Sequence, residues 1–158
     1  MDKLKVLLPI DTTEFDKALV DELTNLLQAQ SYSLHILHVT AIQDMTWQDY
    51  EDVIDDNAGS DVEGDNHNQQ AQKLEQHMLE ELEPTQLAFK GHGFETTCHI
   101  AFGEAPKEII SFATSNNFDL IIMSKHNRKS LPRLNMGSVT TYVLKNATMP
   151  VLLLRPLK

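Results

Sequence analysis

Four cations cluster in an otherwise acidic chain, and their setting points to anion chemistry. Lys125, Arg128, Lys129 and Arg133 lie between the apolar run Leu120-Ile121-Ile122-Met123 and the pair Gly137-Ser138. The run is short and unbroken, as a strand buried on both faces would be. After the pair, Val139, Val143 and Leu144 fall on one face of a helix running to Asn146. A helix start leaves its first N–H groups unpaired and carries the positive end of the dipole, so a basic loop ending there suits a phosphate. His126, inside the loop, could touch such a phosphate or respond to pH.

Other chemistries find less support. His35 and His38 are an odd number of residues apart on one strand and face opposite ways. His67 and His77 have no third ligand nearby, and Cys98 and His99 diverge as strand neighbours. None of these has a recognised metal-ligand spacing. Asp61-x-Glu63-x-Asp65 starts like a calcium loop, but Asn66 stands where glycine is required and Gln72 where glutamate closes the site. There is no Gly-x-Ser-x-Gly elbow and no Walker lysine motif, so no catalytic residue is assigned. Asp11 follows the first strand directly, and hydrolysis from that carboxylate alone would be slow.

The elements that must hold these residues alternate. Leu4 to Ile10 reads as strand one. Asp11-Thr12-Thr13-Glu14 reads as a helix start with Asp11 or Thr13 as N-cap, and Phe15, Leu19, Leu23, Leu26 and Leu27 carry an apolar face to about Gln30. Strand two is Ser33 to Thr40. Helical spacing returns from Gln69 to about Lys90, with Pro84 marking a kink or restart, and Gly91-His92-Gly93 ends it. Phe94 to Ala101 alternates like an outer strand with one better-buried face. Gly103-Glu104-Ala105-Pro106 turns into a helix buried by Ile109, Ile110, Phe112 and Ala113, and Val151 to Leu154 closes the chain. Such alternation predicts a parallel sheet with helices on both faces and a ligand at the carboxyl ends of the strands.

Between the second strand and the helix at 69, residues 43–66 interrupt the rhythm with nine acids and no Lys or Arg: Asp44, Asp49, Glu51, Asp52, Asp55, Asp56, Asp61, Glu63 and Asp65. Self-repulsion and low hydrophobicity predict a solvated, mobile insertion. Met45, Trp47, Tyr50, Val53 and Ile54 could make a short amphipathic turn within it, and Trp47 could cover a ligand mouth or a partner. With 158 residues, 41% of them apolar, the chain reads as one domain over 1–158. A net charge of −10 argues against a nucleic-acid or anionic-membrane partner. A single cysteine excludes an internal disulfide, and no apolar run reaches the length of a membrane span, so a cytoplasmic protein is expected.

The segments "KVLLPID", "GEAPKEII", "DLIIMSKHN", "LNMGSV" and "TMPVLLLRP" resemble the universal stress protein family, and the resemblance covers most of the chain outside 43–66. It implies an α/β fold of the adenine-nucleotide alpha-hydrolase-like type, an open five-stranded parallel sheet of order 3-2-1-4-5 with helices on both faces. That order would bring Asp11 beside the basic loop. Nucleotide binders of the family carry Gly-x2-Gly-x9-Gly-Ser/Thr; here Ser124 and Asn127 take the first two glycine places and Gly137-Ser138 keep the last. Asn is the best non-glycine residue for positive φ, and Ser124 adds a side chain that could donate to phosphate. The resemblance implies an adenine-nucleotide site, intact or degenerate, in which Asp11 meets ribose or the adenine edge and Val39 offers backbone to the base. Pro9, Met123, Arg128 and Val139 would complete it, beside Ser124, Asn127, Gly137 and Ser138. The cofactor would be ATP or AMP, with magnesium if ATP, or none.

The family also places Val151 to Leu154 at a sheet edge, where an unpaired apolar strand invites a homodimer. Two roles stay open: a stress-response signalling domain that reports nucleotide occupancy to an unknown protein partner, and a dimeric interaction module that binds no nucleotide. An ATP-using transferase is disfavoured because Pro9-Ile10-Asp11-Thr12 contains no glycine-rich loop.

Overall fold

A computed structural model of the chain describes residues 2–40, 66–124 and 137–154, with side chains of the helix at 66–91 described from residue 71. The acidic segment up to residue 65, with Trp47 and its apolar neighbours, lies outside them. So do Lys125, His126, Asn127, Arg128, Lys129 and Arg133. In chain order the elements are β1 (Leu4–Ile10), α1 (Lys17–Leu26), a 3-10 turn (Ala29–Ser31), β2 (Tyr32–Thr40) and α2 (Asn66–Gly91). They continue with β3 (Glu95–Phe102), α3 (Ala105–Ser115), β4 (Leu120–Ser124), α4 (Ser138–Asn146) and β5 (Val151–Leu154).

The strands form one parallel sheet of order β3-β2-β1-β4-β5, as the resemblance implied. Alternate side chains of the inner strands enter two separate cores. Val6, Leu8, Leu34, Ile36 and Ile122 pack with Leu19, Val20 and Leu23 of α1 and with Leu82 and Phe89 of α2. Leu7, Leu37, Ile121 and Met123 pack on the other face with Ile109 and Ala113 of α3 and Val143 of α4. The unbroken apolar runs of β1 and β4 thus reflect burial on both faces. At the outer strand, Thr96 is buried between exposed Glu95 and Thr97, but from Cys98 onward both faces are half-buried.

Several expectations about helices are corrected. The first helix starts at Lys17, not near Asp11: Asp16 is extended and its Oδ1 accepts from the N–H groups of Ala18 (3.0 Å) and Leu19 (3.3 Å). Residues 11–15 are bent, non-helical chain instead, in which Thr12 accepts from the Glu14 N–H and Thr13 donates to Glu81 of α2. Phe15 and Leu26, expected on the buried face, are about half exposed, and the helix stops at Leu26. Pro84 does not restart the helix, since α2 runs through it; Pro84 is exposed, so the carbonyl it leaves unpaired can meet water. In α4, Leu144 is exposed and Thr140 takes the inward position, three residues before Val143.

One position decides where the sheet opens. The carbonyl and amide of Lys5 both bond to Asp119, on the β4 side, so by alternation residues 7 and 9 also direct their backbone groups toward β4. The β1–β4 ladder pairs Val6 with Leu120 and Leu7 with Ile121 and goes no further, while β1–β2 pairing continues to Ile10. The next donor toward β4 would be the N–H of residue 9, and that residue is proline. Beyond it the two central strands part.

Candidate functional site

The gap is occupied by a cavity of about 130 Å³. It lies at the carboxyl ends of β1 and β4, where the strand order reverses, which is where open α/β sheets bind ligands. Pro9, Asp11, Val39, Met123, Ser124 and Val139, all expected at the site from sequence, line it together. Gly137 and Ser138 adjoin it as the N-cap and first residue of α4. Gly137 has no side chain to satisfy the first N–H groups, so among the described residues no side chain caps the helix start. Asn127 and Arg128 fall outside the described residues.

Asp11 is not consumed by helix capping, because Asp16 performs that task. Its carboxylate is exposed and is the only charged group among the described lining residues. The chain around it is fixed from β2: His38, almost fully buried, donates its Nδ1–H to the Ile10 carbonyl at 3.1 Å. That bond sets the tautomer of His38 and anchors the residue just before Asp11. From the opposite side, Gly103 donates its N–H to the Thr40 carbonyl (3.1 Å) and holds the start of α3 against the end of β2. Gly103 sits at φ +144°, and a Cβ there would come within 2.7 Å of Glu108 Oε1, so the turn that delivers Ala105 to the cavity requires glycine.

Residues not singled out from the sequence complete the wall: Ile10, Leu19, Leu37, Ala105, Ile109 and Thr140. Leu19, Leu37 and Ile109 are core residues of their elements, and apolar spacing alone gives no sign that a cavity meets them. Thr140 did leave a signal, since a polar residue on the face shared with Val143 must find a partner or a ligand. Most of the lining residues are apolar, yet polar atoms supply somewhat more than half of the lining surface, with the Asp11 carboxylate at the mouth and Ser124 and Thr140 among the walls. The cavity can sandwich a flat, weakly polar group and accept hydrogen bonds from a sugar.

Elsewhere, His35 and His99 face the α3 side and meet across adjacent strands, Nδ1 to Nε2 at 2.9 Å with nearly coplanar rings. Burial holds both below the ordinary histidine value, and the charge of Lys5 adds to this. Burial pushes the Cys98 thiol up to about 11, which makes it a poor nucleophile. Among the described residues no group of three or more His, Cys, Asp or Glu side chains could hold a metal, and no helix is long and apolar enough to cross a membrane.

Comparison with known proteins extends this picture. The model of the Universal stress protein family matches residues 4–155. A universal stress protein of Methanocaldococcus jannaschii is 24% identical over 152 residues, covering 96% of this chain and 94% of that protein. Among solved structures, the universal stress protein UspA from Lactobacillus plantarum aligns with TM-score 0.65 at 18% identity, over 98% of this chain and 99% of its own. The universal stress protein from Archaeoglobus fulgidus in complex with dAMP aligns with TM-score 0.56 at 16% identity, over 97% and 98% of the two chains.

Proposed function

The chain belongs to the universal stress protein family, and from that premise we propose that its cavity binds an adenine nucleotide, ATP or AMP, as the occupancy signal of a stress-response domain. The observation that carries the proposal is the cavity itself, at the reversal of strand order between β1 and β4, with Asp11 at its mouth free of helix capping. Apolar Val39, Met123, Leu37 and Ile109 suit the base, Asp11 accepts from ribose hydroxyls, and the start of α4 faces the phosphates. The Archaeoglobus fulgidus relative, whose structure contains dAMP, supports the same ligand class. Magnesium would arrive with a triphosphate; Asp11 is the one carboxylate among the described lining residues that could reach it.

The test is calorimetric titration of ATP and AMP with magnesium into the wild type and Gly137→Asp. Asp is a good N-cap residue, so the substitution leaves α4 at least as stable while placing a negative charge where the phosphates belong. Binding of about micromolar affinity, weakened at least about tenfold by the substitution, is expected. If the wild type binds neither nucleotide, the reading is wrong and the non-nucleotide interaction module takes its place.

One observation favours an assembly role beside either outcome. Among the described residues β5 pairs only with β4, so its outer edge meets no described strand, and Val151, Leu152 and Leu153 along it are half-buried apolar residues. We propose that two copies associate through Val151–Leu154, which sedimentation equilibrium would report as a dimer mass.

A further inference from the structure

Four threonines are buried among the described residues, and they differ in what their hydroxyls meet. Thr40 donates to Met78 Sδ at 3.2 Å and Thr96 to the Phe94 carbonyl at 3.1 Å. Thr85 has no partner and is sealed from any. Thr140, only 3% exposed, also lacks a side-chain hydrogen bond to any described residue, but unlike Thr85 it lines the cavity. Its position in the first turn of α4 sets it directly behind the N–H groups that follow Gly137.

A valine has the shape of threonine and would fill this position with no hydroxyl to desolvate. The hydroxyl therefore adds nothing to the described packing, and the cavity that Thr140 lines is where it can meet an acceptor. We propose that Thr140 is a specificity-determining residue of the site, its hydroxyl donating a hydrogen bond to an acceptor oxygen of the bound nucleotide, on the sugar or on the first phosphate. This rests on the nucleotide reading of the cavity. Ligands that bring an oxygen to that depth satisfy the hydroxyl, and ligands that bring an apolar group leave it unpaired, which is how a buried polar group discriminates.

The experiment compares the wild type, Thr140→Val and Thr140→Ser by calorimetric titration with adenosine, AMP and ATP, and by thermal melting without ligand. Thr140→Val should weaken AMP by about five- to tenfold, the worth of one hydrogen bond to a charged or polar oxygen, with no loss of melting temperature. Thr140→Ser should bind within about twofold of the wild type. A penalty seen with AMP and absent with adenosine assigns the oxygen to phosphate; equal penalties assign it to the sugar. Wild-type binding matched by Thr140→Val overturns this inference alone, as does a valine variant that melts lower and is not restored by serine. Absence of wild-type binding to all three ligands overturns the nucleotide reading and this inference with it.

Discussion

Replacing His35 and His99 together by glutamine should remove a definite part of the protein's sensitivity to acid. The two rings share one hydrogen bond at 2.9 Å, which needs a donor on one side and a lone pair on the other. Ser33 Oγ lies 3.2 Å from His35 Nε2, and Phe112 and Phe118 pack around the pair. The charges facing it are Lys5, whose Nζ sits 4.6 Å from the Phe118 ring centre, and Glu95, which is also bridged to Lys3 at 3.2 Å. Burial, the second imidazole and Lys5 disfavour protonation of His35; Glu95 opposes them as the smallest influence. Both folded values are lowered, so the unfolded chain binds more protons at mildly acidic pH. The stabilisation is therefore complete above the unfolded value of about 6.5 and is lost as pH falls from there through the folded values. Two refused protons set a limiting slope of about 2.7 kcal/mol per pH unit, and partial solvent screening reduces the expected loss between pH 7.5 and 5.5 to about 1 kcal/mol. With a denaturant slope of about 2 kcal/mol per molar, that moves the urea midpoint by about half a molar. Equal midpoint shifts in wild type and double variant over this range would refute the reasoning.

Two further substitutions probe the helices. Asp16→Ala should lower stability by about 1 kcal/mol in urea unfolding, because it removes the acceptor for Ala18 and Leu19; an unchanged midpoint would return the capping role to residues 11–13. Thr85→Val should raise stability by about 1 kcal/mol, since it deletes a buried hydroxyl that has no partner, and a loss of stability would show that the hydroxyl is bonded in solution.

How far the chain could be read in advance varied with the range of the forces involved. The strands of the sheet were legible because double-sided burial leaves continuous apolar runs such as Val6 to Leu8 and Ile121 to Met123. Strand order was not: nothing local to β4 says that it lies beside β1, and the order came from family resemblance. The start of α1 was misplaced because Asp11, Thr13 and Asp16 are all acceptable caps locally. The choice fell to Asp16 in a structure where Thr13 reaches Glu81, 68 residues away, and Asp11 borders the cavity. The histidine pair escaped notice for a related reason. His35 and His99 lie 64 residues apart, and only the β2–β3 register, which sets His99 opposite Leu37, brings them to one face. Six of the candidate site residues were placed around one cavity, whereas its apolar floor was indistinguishable in sequence from ordinary core.

Pro9 gives the cavity an unusual kind of permanence. The separation of β1 from β4 follows from a missing main-chain donor, so it does not depend on which side chains surround it. Substitutions at Val39, Ile109 or Thr140 can therefore alter what is held, in small steps, without threatening that something can be held. Occupancy and aperture become separately inheritable traits. A lineage that lost its original ligand would still carry a ready hollow at the centre of the sheet, and new preferences could arise there without a new fold.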